Sequence, residues 1–100
     1  MALSNKDKKE NFKDAFIITS TKRFRVRACG IVIKNDKVLM VKNNVDDYYY
    51  SLGGAVHIGE TIENACLREV LEETGYHYEI DRLVFVHENF FNQDGLLWHE

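Results

Sequence analysis

Proline is absent from the 100 residues, cysteine appears twice, and no apolar run approaches the roughly 18 residues that a membrane-spanning helix needs. Without proline, repeats or low-complexity stretches, no internal linker is visible. The length fits one domain, able to bury a hydrophobic core without disulfides or a structural metal. Cys29 and Cys66 each sit in an apolar stretch, which reads as two buried, reduced thiols rather than a disulfide framework. His57, His77, His87 and His99 fall in no CxxC or HExxH context, so a tetrahedral zinc site has little support. Residues 1–13 are polar and lysine-rich with no apolar h-region. They do not read as a secretory signal, and a cytoplasmic protein without membrane partners is expected. Net charge is -3, which argues against a nucleic-acid duplex as main partner, although Lys and Arg concentrate in the first 42 residues. A polar leader is expected at residues 1–12 and a single domain over 13–100.

What is present divides into β-prone runs and one helix. Phe16 to Thr19 is a short β-prone run. Arg25 to Lys34 and Lys37 to Lys42, rich in Val and Ile, flank Asn35-Asp36 and read as two strands joined by a tight turn. Gly53-Gly54 follows Tyr48-Tyr49-Tyr50 and lets the backbone take conformations closed to other residues. Thr61 is suited to cap a helix N-terminus and Gly75 to end one, and residues 62–74 between them have helical periodicity. One half of that helix carries Ile62, Cys66, Val70, Leu67 and Leu71, with Ala65 beside it, and should pack on the sheet. Ile80 to His87 reads as a further strand, and Leu96 to Trp98 as the start of another.

Glu69, Glu72 and Glu73 share an arc of about 100° on the helix, next to the apolar stripe. Like charges at this spacing each cost a few tenths of a kcal/mol, and Glu72 and Glu73 also occupy the last turn, where the helix dipole disfavours anions. A divalent cation would reverse both penalties, and an all-oxygen set suits a hard ion such as Mg²⁺ or Mn²⁺. Arg68 lies four residues before Glu72 and can neutralise one carboxylate while others stay free. The competing reading is a solvated charged face, since Glu60 and Glu63 also belong to this acidic stretch. The helix taken alone does not choose between them.

The pattern around the helix does. Gly54, five residues, Glu60, seven residues, then Arg68-Glu69-Val70-Leu71-Glu72-Glu73-Thr74-Gly75-Tyr76 closely resembles the Nudix box. Seven fixed letters at roughly 6% each give a chance match on the order of 10⁻⁹ per start position. Leu52 stands where many members have proline, and Tyr76 is larger than the usual closing aliphatic residue; neither departure removes a carboxylate. The resemblance implies an α/β/α sandwich around a mixed sheet, and cleavage of a nucleoside diphosphate linked to another moiety X. It also implies that Glu69, Glu72 and Glu73, helped by the Gly54 carbonyl, ligate Mg²⁺ or Mn²⁺. Glu69 would activate water, Glu60 would hydrogen-bond within the site, and Arg68 would position a glutamate. A metal ion suits this chemistry because it neutralises the multiply charged pyrophosphate and polarises water.

Outside the box the signals are weaker. Arg23, Arg25 and Arg27 alternate along what reads as one strand face, where Arg27 could meet phosphates, and Tyr49 or Tyr50 could stack on a base or ribose. Nudix domains normally continue with further strands and a closing helix. The resemblance therefore implies that these are missing here, or that a second copy completes the sheet as a homodimer, since Leu96 to Trp98 shows no partner for its edge. Two other functions compete with a pyrophosphohydrolase. One is a catalytically silent Nudix-fold module that binds a nucleotide or an ADP-ribose-like ligand; the other is a protein-interaction surface on the acidic helix. The intact glutamate set favours the enzyme.

Overall fold

The computed structural model describes residues 14–100; the polar leader expected at 1–12 lies outside that range. Strands β1 (Phe16–Ile18) and β2 (Lys22–Arg25) form an antiparallel hairpin. Its turn is tied by Thr19 Oγ1, which accepts the Lys22 N–H at 2.9 Å and the Thr21 N–H at 3.3 Å, the local side-chain-to-backbone bonding that threonine favours outside ladders. Strand β3 (Arg27–Gly30) begins only after Val26. Val26 donates to the Ala15 carbonyl at 3.3 Å and accepts from the Val56 N–H at 3.0 Å, so the chain passes there from one sheet to another. The single strand face expected for Arg23, Arg25 and Arg27 is therefore divided: the first two belong to β2 and Arg27 to β3.

Strands β4 (Ile33–Lys34) and β5 (Lys37–Val38) form a hairpin at the expected turn, but only two residues long on each side, because the rest of the two expected strands pairs elsewhere. Asn35 and Asp36 take φ of 53° and 61°, the left-handed pair that a two-residue turn of this twist requires and that Asn and Asp tolerate. After β6 (Met40–Val41) and β7 (Tyr50–Ala55), the sheet order is β3-β7-β6, all antiparallel. A second hairpin joins β8 (Phe90–Gln93) to β9 (Leu96–His99) through Asp94 and Gly95, with φ of 54° and 74°. This hairpin extends the other sheet, in order β1-β2-β9-β8, where β2 and β9 run parallel. The strand beginning at Leu96 thus has partners on both sides, contrary to expectation: β2 takes one edge and β8 the other.

The helix α1 (Ile62–Thr74) has the predicted limits. Thr61 Oγ1 accepts the Asn64 N–H at 3.1 Å, and Gly75 closes the other end at φ 77° with its N–H on the Leu71 carbonyl at 2.8 Å. The predicted stripe packs on β3 and β7, but its centre is Ala65 and Val70, while Ile62 remains 48% exposed. The reason is close approach. A Cβ on Gly30 would stand 2.7 Å from Val70 Cγ2, and one on Gly54 2.5 Å from Glu69 Cδ, so only small residues fit beneath the helix. Ala28, Val56 and Ala65 form the buried cluster, with Val26 and Cys66 against it. The result is the expected mixed α+β class, with a mixed sheet.

Ile80 to His87 does not form the expected strand. Residues 76–89 hold no regular structure, and Leu83, Val84, Phe85 and Val86 are exposed. Their β-prone composition suits a pleated, half-buried surface, but a strand exists only where another edge supplies ladder hydrogen bonds. Among the described residues no strand pairs with this segment. Cys66 is half-buried, and burial raises its thiol pKa above the ordinary value. Cys29 is exposed, against expectation, because it faces away from the helix. Among the described residues no helix is long and apolar enough to cross a membrane.

Candidate active site

Three pieces of chain meet along one face of α1. The first is the end of β7 at Gly53-Gly54-Ala55, the second is the loop from Val56 to Thr61, and the third is the helix face bearing Arg68, Glu69, Glu72 and Glu73. Antiparallel pairing sets Gly54 opposite Ala28, on the face that the helix covers. Helical spacing then carries Arg68 and Glu69 over that strand.

Arg68 is the hub. Its Nε and one terminal nitrogen grip Glu60 at both carboxylate oxygens, at 2.8 and 2.9 Å. The same terminal nitrogen reaches the Ala55 carbonyl at 3.0 Å. The other donates to Glu69 Oε1 at 2.8 Å and, at 3.5 Å, to Glu72 Oε1. All three guanidinium nitrogens are thus engaged, a fit that arginine's planar fork allows and a lysine could not reproduce. The hydrogen bonds that Arg68 donates to Glu60 raise the Arg68 pKa beyond its ordinary value. Glu60 is lowered to about 2, first by Arg68 and then by the backbone N–H of His57, which it accepts at 3.1 Å. Glu60 is therefore a fixed anion at any pH near neutrality.

Of the residues expected at the site, Glu60, Arg68, Glu69 and Gly54 are brought into contact. The Glu69 carboxylate lies so close to Gly54 that a Cβ there would sit 2.6 Å from both its oxygens. Its Oε1 is held by Arg68, while Oε2 takes no protein donor among the described residues. Glu73 bends to the strand end, where Oε1 accepts the Gly53 N–H at 2.7 Å. Glu72 has a side chain 57% exposed, against 17% for Glu69, and only the long contact to Arg68. In this arrangement, among the described residues, no three acidic, imidazole or thiol side chains stand close enough to hold a cation together. Arg68 and the Gly53 amide keep the carboxylates apart. The donor set still fits a hard dication: it is all oxygen, Glu69 and Glu73 reach the Gly53-Gly54 end of β7, and the missing side chain at Gly54 leaves the space that Glu69 uses. No basic residue occupies the last helical turn, so nothing there relieves Glu72 and Glu73 of the dipole penalty.

The outlying candidates are not brought to this strand end. Arg27 is exposed and paired with Ala55, one residue out of phase with Ala28 and so on the sheet face away from α1. Tyr49 is exposed, with Lys42 Nζ 6.0 Å from its ring centre. Arg25 pairs with Glu100 and lies over Trp98 at 5.0 Å. Two features were not legible in the sequence: the Glu73 bond to the Gly53 amide, and the part played by His57. The only available signal for His57 was its position three residues before Glu60, within reach of that carboxylate through a tight turn.

This strand, loop and helix unit lies inside the stretch, residues 24–97, that matches the model of the NUDIX domain. The chain belongs to the Nudix family. It is 36% identical over 72 residues to a MutT-like protein of Streptomyces ambofaciens, a match covering 71% of this chain and 47% of the relative. It is 41% identical over 61 residues to an ADP-ribose pyrophosphatase of Methanocaldococcus jannaschii, covering 58% of this chain and 36% of the relative. The chain spans less than half the length of either. Nudix hydrolases in general use divalent metal ions.

Proposed function

We propose that this chain carries the active site of a metal-dependent pyrophosphohydrolase acting on a nucleoside diphosphate linked to a second moiety. The observation that carries the reading is the placement of Glu69. It is half-neutralised by Arg68, pressed against Gly54, and has one oxygen without a protein donor among the described residues. Glu69, Glu72 and Glu73, with the Gly54 carbonyl, would hold Mg²⁺ or Mn²⁺. When bound, that ion supplies neutralisation of the pyrophosphate charge and polarisation of water.

The remaining steps belong to the chain's own residues. Glu69 takes a proton from the attacking water as its oxygen adds to one phosphorus. The bridging P–O bond then breaks, and its electron pair leaves with the other phosphoryl group. Glu60 and Arg68 do not titrate in the working range, so they hold geometry rather than move protons. Arg27 and Tyr49 remain candidates for substrate contact only if the substrate wraps round the strand end to the outer sheet face. We place the domain at residues 13–100, in the cytoplasm, with a small-molecule substrate rather than a nucleic-acid duplex or membrane as partner.

The name of the archaeal relative makes ADP-ribose the first compound to assay, beside nucleoside triphosphates, dinucleoside polyphosphates, nucleotide sugars and coenzyme A. Monophosphate release that needs Mg²⁺ and is lost in Glu69→Gln is the expected result. Ligand binding without any metal-dependent turnover would instead support a silent binding module.

A further inference from the structure

His57 fills one of the unspecified positions between Gly54 and Glu60, yet its ring stands between two carboxylates. One ring nitrogen, Nε2, is 3.7 Å from Asp14 Oδ1, and the other, Nδ1, is 4.0 Å from Glu60 Oε1. The backbone around it is stitched on both sides. Asp14 and His57 pair antiparallel, and Ala15 donates to the Val56 carbonyl at 2.7 Å. Across the turn, His57 donates its N–H to the Glu60 carboxylate at 3.1 Å, while the Glu60 N–H returns to the His57 carbonyl at 3.0 Å. The backbone thus fixes the imidazole beside Glu60 Oε1, the oxygen that also accepts from Arg68 and the His57 amide.

We propose that His57, held by Asp14, is a positioning residue that seats Glu60 against Arg68 and thereby sets where Arg68 presents Glu69; this rests on the pyrophosphohydrolase reading. The chain of contact is continuous: Asp14 to the ring, the ring to Glu60, Glu60 to two nitrogens of Arg68, and the third to Glu69. Among the described residues Glu60 accepts hydrogen bonds from two partners, Arg68 and the His57 amide, and the ring stands 4.0 Å from its Oε1. The ring limits how far the carboxylate can swing about its last torsion, which is otherwise soft. Outer residues of this kind act by orientation, not by touching the reacting atoms.

The substitution His57→Ala removes the ring and leaves both backbone bonds of the turn in place, so it separates positioning from turn formation. Turnover should fall about tenfold, the scale seen when orienting partners of a site are removed, with KM changed less than about twofold. In a Glu60→Gln background the same substitution should have no further effect, because the carboxylate it orients is gone. Asp14→Asn should act in the same direction, more weakly, and serves as the second variant if His57→Ala melts too low. A readout independent of turnover is the Arg68 Nε–H resonance by NMR, slow to exchange in the wild-type chain and accelerated in His57→Ala. Loss of turnover that adds fully to that of Glu60→Gln, or an Arg68 signal unmoved by His57→Ala, overturns the proposal. A wild-type chain without metal-dependent turnover would overturn the functional reading instead, and the Arg68 signal would still decide the role of His57.

Discussion

Three glycines of β3 and β7 should respond to the same added methyl group in three different ways. At Gly54 a Cβ would come within 2.5 Å of Glu69 Cδ and 2.6 Å of both carboxylate oxygens. Those atoms are the tip of a flexible side chain, so they swing away at little energetic cost. Restoring an ordinary contact nevertheless moves the carboxylate by about 1 Å, and misplacement on that scale can cost about 10²-fold in rate. Alanine also lowers the entropy of the unfolded chain, worth about 0.4–1 kcal/mol in its favour. Gly54→Ala is therefore expected to melt within a few degrees of wild type and to lose about 10²-fold in metal-dependent hydrolysis. At Gly30 the same methyl meets Val70 Cγ2 at 2.7 Å. Val70 is buried and stiff at χ1, so overpacking of about 1–3 kcal/mol is expected, or roughly 5–20 °C in Tm for a domain this small. At Gly53, with φ of 145°, the Cβ meets the Ala28 carbonyl oxygen at 2.3 Å. Backbone cannot yield, and the variant should not fold. Parallel thermal melts and steady-state hydrolysis read all three. A Gly54→Ala variant with full activity would refute the reasoning, because Glu69 could then reach its working position without the space that Gly54 leaves.

Two further expectations concern stability and exposure. Glu60 has a folded pKa of about 2 against an ordinary 4.5. A depressed carboxylate contributes stability that is present above its unfolded pKa and lost as pH falls toward the folded one, so wild-type Tm should drop between pH 4.5 and 2 more steeply than that of Glu60→Gln. Equal slopes would show that the Arg68 pairing contributes nothing to folding. Amide hydrogen exchange should find residues 80–88 unprotected and the centre of α1 protected, because the former have no ladder partner among the described residues; slow exchange at Val84 or Val86 would mean that the segment pairs in solution.

How much was legible follows the range of the interactions. The helix limits were readable because Thr61 and Gly75 each act within about a turn of the end they cap, and the apolar spacing between them is local. So was the Asn35-Asp36 hairpin, whose left-handed pair is a local demand. Pairing between distant strands was not readable. Nothing in Leu96 to Trp98 announces that β9 will lie parallel to β2, and nothing in Val26 announces that one run will serve two sheets. The carboxylate arc was legible as a face. Its tertiary arrangement was not: Glu73 turns to a backbone amide twenty positions earlier in the chain, and Arg68 gathers Glu60 from beyond the helix. The exposed β-prone segment 80–87 shows the same limit, since propensity states what a segment suits and not whether an edge is there to receive it.

Glu69→Gln offers the most direct test of the central claim, that Glu69 serves chemistry rather than folding. The amide keeps the size and can still accept the Arg68 N–H at the position of Oε1, while one negative charge leaves a crowded arc. Turnover of a preferred diphosphate substrate at saturating Mg²⁺, measured beside thermal melts, should fall by at least roughly 10²-fold with Tm unchanged or raised. Turnover equal to wild type would contradict the assignment.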